Sequence, residues 1–240
     1  LSKSVKVTLI VFLVIIVDQA VKIWVKTNMQ YGESFSIFGA KWAYIHFVEN
    51  NGMAFGLSFG GDIGKLLLSV FRIIAVFFLA YLIRSLIKNK ASMGILTCFS
   101  LVMAGALGNI LDSIFYGVIF SESSFHGGLA ELFPKEGGYA SFLHGKVVDM
   151  FYFPLVDTVL PQWVPIWGGE HFEFFKPIFN VADASISVGI ISLILFYRRF
   201  FGAENKIQPP KNTKEQQPIE GQTASTSDTP MDEKADQITA

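Results

Sequence analysis

Four aspartates carry most of the chemistry this sequence can offer: Asp18, Asp112, Asp149 and Asp183. Three have a polar companion at short spacing, Asp18 with Lys22, Asp112 with Asn109 and Asp183 with Asn180, while Asn50 and Asp149 stand in stretches between apolar runs. Two carboxyl groups held together cannot both ionise cheaply, so one keeps its proton and the pair offers a base and an acid at once. Such a pair can take a proton from water while donating one to a carbonyl oxygen. That is peptide hydrolysis with neither a metal nor a covalent intermediate. Spacing alone leaves open which two of the four form the pair. Each companion pair also has a purely structural reading. Asp18 and Lys22, at i,i+4, can form an intrahelical ion pair, and the two Asn–Asp pairs, at i,i+3, can serve as hydrogen-bond glue between helices.

Other chemistries find little footing. His46, His126, His144 and His171 are scattered without metal-ligand spacing, and neither a GxSxG nucleophile elbow nor a phosphate-binding GxxxxGK[ST] loop occurs. No metal or other cofactor is expected. Cys98 is the only cysteine, which excludes an intrachain disulfide and reads as a packing residue. The formal net charge of −1, with no basic patch interleaved with aromatics, gives no sign of a nucleic-acid partner.

The elements that must position these residues are membrane helices. Of the 240 residues, 51% are hydrophobic and only 16% charged, too apolar for an ordinary soluble domain. A spanning helix needs roughly 20 mostly apolar residues, since in hydrocarbon its backbone groups must be satisfied within the segment. Four segments qualify: about Val5–Val25, Ile63–Ile83, Met93–Gly117 and Pro177–Tyr197. The first lacks a small-x-small cleavage site and continues through Asp18 and Lys22, so it reads as a retained helix. Lys3, Lys6, Arg84, Lys88, Lys90, Arg198 and Arg199 all flank one side of the four spans. Both termini are therefore expected in the cytoplasm, with loops 27–62 and 118–176 outside.

Loop 27–62 alternates aromatic and small residues, the pattern of short strands, a turn and an apolar return to the membrane. Loop 118–176 is rich in Gly, Pro and aromatics, which suits a headgroup-level surface. After Gly202 the chain turns polar and loses periodicity, so residues 203–240 read as a disordered cytoplasmic tail following a membrane domain over 1–202. The expected fold is thus an α-helical integral membrane protein with four transmembrane helices and a small β-containing outer subdomain. Alternating span directions bring every polar pair to one leaflet. With a helix start at Pro177 and a rise of ~1.5 Å per residue, Asp183 would lie about 9 Å below the end of the fourth span.

DQAVK (Asp18–Lys22), NNGMAF (Asn50–Phe55), GNILD (Gly108–Asp112), GKVVDMF (Gly145–Phe151) and FNVADASI (Phe179–Ile186) stand in this order on four spans. In that order and context the chain resembles the bacterial lipoprotein signal peptidases, the signal peptidase II family of membrane aspartic peptidases. The resemblance covers about Val5–Arg199. It implies Asp149 and Asp183 as catalytic residues, Asn50, Asn109 and Asn180 as residues lining the substrate groove, and Asp18, Lys22 and Asp112 as supporting residues. It also implies an inner-membrane endopeptidase that releases signal peptides from diacylglyceryl-modified prolipoproteins just before the lipidated cysteine. Its partners would be that substrate and membrane lipids, and the chain would work as a monomer.

Two departures stand out. The family usually has Arg after GNxxD, where this chain has Ser113. The step from Asp112 to Asp149 is also expanded by a loop containing SSFHGGLAELFPKEGGY, whose Gly content reads as a passive insert and whose apolar centre could instead form a lid. The rival readings from other classes are a small proton- or cation-coupled membrane transporter, in which intramembrane acids carry the ion, and a structural partner that gathers other membrane proteins. Acids gathered at one face, with no broken mid-depth helix, speak against a transporter.

Overall fold

A computed structural model describes residues 1–51, 61–125, 127–174 and 176–202. His126, the apolar return after Asn51 and the tail lie outside them. Helix α1 (Lys3–Asn28) starts where Ser2 Oγ accepts the Val5 N–H at 3.3 Å and ends where Met29 turns extended. Helices α2 (Gly61–Lys88) and α3 (Met93–Leu111) are joined by a tight turn in which Lys90 takes a positive φ of 56°. Ser92 caps the start of α3 in the same manner as Ser2 caps α1. At Asp112 the α-helical ladder widens into a π-helical turn, Asp112–Tyr116, before a last short segment, α4 (Gly117–Ile119). Such single π turns are a common way to re-aim side chains.

Strands β1 (Ser34–Ser36), β2 (Tyr44–Asn50), β3 (Val147–Tyr152) and β6 (Ile178–Phe179) form an antiparallel sheet in the order β1-β2-β3-β6. Strands β4 (Val156–Val159) and β5 (His171–Phe174) form a separate hairpin between β3 and β6. The final helix, α5, runs over Val181–Gly202. Helices α1 and α2 and the run Met93–Ile119 are long and apolar enough to cross a membrane, and Val181–Tyr197 is a shorter apolar helix. The fourth span therefore starts four residues later than the hydropathy pattern predicts. Ile178 and Phe179 are apolar because they pair as a strand with Tyr152 and Phe151, not because they are helical.

α3 is the central helix, packed most extensively on α5 and also on α1 and α2. Gly105 permits that closeness: a Cβ there would overlap the carbonyl of Ala182. The outward faces of α1, α2 and α5 expose large apolar residues such as Phe12, Phe71, Phe77 and Ile194, the surface expected of helices solvated by lipid. At the end that carries the N-terminus, Cys98 packs with Val7, Ile83, Leu86, Leu96, Phe99 and Leu193. At the sheet end a second core joins Val25 and Met29 of α1 to Phe47, Val148 and Met150 of the sheet and to Tyr116 and Phe120.

The insert following α3 is not a passive appendage. Phe120 is fully buried, Tyr139 packs on the second core, and Ser123 Oγ receives a 2.8 Å hydrogen bond from Lys26 Nζ. Lys26 itself is fully buried, ion-paired to Glu49 and set over the rings of Phe120 and Tyr139. A charge at the end of a span can be buried here because the insert supplies a hydroxyl and two aromatic faces to receive it. Lys26 stands at a helix end in the sequence, and nothing local to it signals this arrangement.

Candidate active site

Between the two apolar cores lies a layer of polar side chains that almost entirely excludes solvent. Asp18, Lys22, Asp112 and Asn180 are 0% exposed, Asp149 is 3% and Asn109 is 6%. Lys22 Nζ lies 2.9 Å from Asp18 Oδ2, 2.8 Å from Asp112 Oδ2 and 2.9 Å from Asn109 Oδ1. The expected i,i+4 pair exists, then, but as part of a buried triad that bridges α1 and α3. Gln19 completes it by donating to Asp112 Oδ1 at 2.9 Å and to the Gly108 carbonyl at 3.2 Å, while its own carbonyl accepts from the Tyr116 hydroxyl at 3.1 Å. Asp18 Oδ1 accepts the backbone N–H of Ala182 at 2.8 Å, so α1 also holds the first turn of α5. Asp112 Oδ2 accepts the Val148 N–H at 3.3 Å and fixes the strand that carries Asp149.

The shifted helix start changes the meaning of Asn180 and Asp183. Asn180 is the residue before α5, and its Oδ1 accepts the Asp183 N–H at 2.9 Å while Asp183 Oδ2 accepts the Asn180 N–H at 3.3 Å. This reciprocal pair is a capping box, which satisfies two helix-terminal donors. Asp183 therefore sits in the first helical turn, not about 9 Å down a span, and the partial positive charge of a helix N-terminus favours its anion. Asn109 Nδ2 donates to its other oxygen at 2.8 Å.

Asn180 does more than cap. Its Nδ2 donates to Asp149 Oδ1 at 2.6 Å, with Asn109 Oδ1 at 3.1 Å and the Val148 carbonyl at 3.3 Å as further acceptors. On the other side of Asp149, the Asn50 amide donates to Oδ2. Register explains that contact: Asp149 lies opposite Val48, and Asn50, two residues on, projects from the same face of the sheet. All eight residues singled out in the sequence meet in this one network.

Burial pushes the Asp149 carboxyl up to about 7, with the Asp183 charge adding to the rise and the Asn180 hydrogen bond opposing it. Because the folded value lies above the unfolded one, the folded state binds the extra proton between about pH 4 and pH 7. The associated stability is full below that window and is lost as pH rises through it. A rise from 3.8 to about 7 corresponds to at most about 4 kcal/mol. Asp149→Asn should abolish this dependence. Its melting temperature relative to the parent protein should climb from about pH 4 to about pH 7 and then level off, and a flat difference across that range would contradict the assignment.

Sequence reasoning passed over Gln19, although it stands beside Asp18 in DQAVK, and it passed over Arg72. Ser69 Oγ of α2 donates to the Leu143 carbonyl at 3.2 Å, and the Leu143 N–H reaches the Ile114 carbonyl at 3.4 Å. One turn further along α2, which runs antiparallel to α3, Arg72 comes level with Asn109–Asp112. Its charge acts on Asp183, Asp112 and Asp149. A lone arginine inside an apolar run was the available signal. Gly145, just before β3, must lack a side chain, because a Cβ there would overlap the Asp112 carbonyl.

Apolar helices crowned by a sheet, with carboxyl groups gathered where the two meet, define an integral membrane enzyme of the aspartic type. The chain belongs to the signal peptidase II family, whose model matches residues 10–199. It is 54% identical over 194 residues to the lipoprotein signal peptidase of Porphyromonas gingivalis, covering 80% of this chain and 83% of that one. It is 36% identical over 189 residues to the lipoprotein signal peptidase of Amoebophilus asiaticus, covering 78% and 75%. A solved bacterial membrane enzyme, described at 1.9 Å resolution, shares 27% identity at a TM-score of 0.50 over 79% of this chain and 90% of that one. A second, at 2.3 Å, has 24% identity and a TM-score of 0.52 over 85% and 93%, which speaks to the fold. The transporter reading finds no support in this membership.

Proposed function

We propose that the chain removes the signal peptide from diacylglyceryl-modified prolipoproteins just before the lipidated cysteine, with Asp149 and Asp183 as the catalytic pair. The observation that carries the pairing is Asn180, whose one side chain bonds Asp149 and caps the helix turn holding Asp183. Asp149, raised to about 7, begins as the acid and Asp183 as the base. Asp183 takes a proton from water as the water oxygen bonds to the scissile carbonyl carbon, and Asp149 gives its proton to the carbonyl oxygen. In collapse of the resulting gem-diol, Asp149 recovers a hydroxyl proton, Asp183 protonates the departing nitrogen, and the C–N bond breaks. The products are the signal peptide's carboxylic acid and the free amine of the lipidated cysteine. Asn50 and Asn109 keep both carboxyl groups oriented, and Arg72 offsets the excess of acids over Lys22. Proteoliposomes holding only this chain should cleave a diacylglyceryl prepeptide and leave its unlipidated counterpart almost untouched. Ion flux without cleavage would refute the reading.

The site would open at the outer leaflet of the inner membrane, with both termini in the cytoplasm and the protein working as a monomer. The lysine and arginine asymmetry supports that orientation. In a Cys98→Ala background, Glu136→Cys should react with an impermeant thiol reagent in intact cells and Ser225→Cys only after permeabilisation. Glu136 is the suitable outer position because it is exposed, whereas Ser123 is 8% exposed and bonded to Lys26. Labelling of Ser225→Cys in intact cells would reverse the topology.

A further inference from the structure

At the end of the bundle opposite the acids, α1 and α2 both lean on α3 and leave a groove of about 580 Å³ between them. Val7 and Ile83 form part of its buried apolar floor, Ser4 and Thr8 line one wall, and Arg84 and Lys88 line the other. Arg84 and Lys88 stand at i,i+4 on one face of α2, both exposed, and neither makes a hydrogen bond or ion pair among the described residues. No Asp or Glu occurs in residues 1–17, 63–111 or 184–202, the segments that build this end, so among the described residues no acid faces them. Lys3 is differently occupied, its Nζ donating to the Ala91 carbonyl at 2.6 Å in the α2–α3 turn.

Two cations without an acidic partner among the described residues, set above an apolar trough, are complementary to one kind of molecule, an amphiphile with an anionic phosphate head and acyl chains. A free phosphate would gain the charges but leave the apolar floor exposed. A zwitterionic lipid would fill the floor but present a compensating cation of its own. We propose that this groove is a specific site for an anionic phospholipid in the leaflet at the N-terminal end of α1. The phosphate sits between Arg84 and Lys88, with Ser4 and Thr8 within reach as hydroxyl donors, and an acyl chain lies along Val7 and Ile83. The lipid fills the wedge between α1 and α2, a binding role separate from catalysis at the other end.

The test is lipid retention by the full chain purified in a non-ionic detergent, read by native mass spectrometry and by melting temperature. Phosphatidylglycerol, phosphatidylcholine and glycerol 3-phosphate are the probes. Phosphatidylglycerol should be retained and should raise the melting temperature, and the other two should do neither. The double variant Arg84→Gln/Lys88→Gln should bind phosphatidylglycerol about 30-fold more weakly, the effect expected of two basic groups. It should melt like the parent protein without added lipid and cleave prepeptide in detergent at the parent rate. Arg84→Lys/Lys88→Arg, which keeps both charges, should bind like the parent. Equal retention by the Gln variant, equal retention of phosphatidylcholine, or full competition by glycerol 3-phosphate would each overturn the proposal. Since retention is read without turnover, its failure is separate from failure of the catalytic assignment.

Discussion

Asp149→Asn and Asp183→Asn should each lower the initial rate of prepeptide cleavage by about 10²–10⁴-fold, the contribution usual for a positioned acid or base. Asn keeps the shape of Asp but offers one acceptor oxygen where each carboxyl offers two to its donors, and it cannot exchange a proton in the needed range. The double variant should be no slower than the worse single one, because groups acting as a unit are not additive. The two changes differ in stability. Asp149→Asn relieves a buried carboxylate above about pH 7, whereas Asp183→Asn weakens the capping box and loses an anion at a helix N-terminus. Loss of activity with a preserved or raised melting temperature is therefore the signature sought at Asp149. Near-parent turnover in either single variant would remove that residue from the pair and direct attention to Asp112.

Lys22→Met should be the most damaging single change to folding, costing about 3–5 kcal/mol, because it strands two carboxylates that are 0% exposed. The cost comes from the uncompensated charges more than from the lost attraction. Asp18→Asn should therefore be milder: Lys22 keeps Asp112, and the amide oxygen can still accept the Ala182 N–H. The triple variant Asp18→Asn/Lys22→Met/Asp112→Asn should recover much of the loss, since no ion is then left unpaired. Denaturant unfolding of the four proteins in one detergent reads the series. A Lys22→Met protein as stable as the parent would mean that the buried charges are solvated by something other than Lys22.

Both experiments probe a site whose parts were legible in the sequence and whose joints were not. The three long spans could be read because a membrane helix must satisfy its own backbone, so its signal is local. The fourth span could be read only in part. Ile178 and Phe179 are as apolar as helix residues, and only their pairing with β3 shows them to be strand. That shift turned Asn180 and Asp183 from a polar pair on a helix face into a capping box. The insert after α3 was misread for a similar reason. Its Gly content is local, but the burial of Phe120 and the Lys26–Ser123 contact depend on α1 and β2 arriving beside it.

Residue types and short spacings, taken alone, determined a membrane protein with four apolar segments, acids confined to one end and a chemistry of paired carboxyls. Only the tertiary structure decided which acids meet. Asn50 reaches Asp149 across 99 residues through the register of β2 on β3, where a slip of one residue would turn Asp149 to the opposite face. Asp18 reaches Ala182 across 164 residues, and Asn180 ties Asp149 to the helix end that holds Asp183. Hydrophobicity and helix capping act over a few residues and are written in sequence order. Register and the convergence of side chains from five elements arise from non-local packing, which no short window of the chain contains.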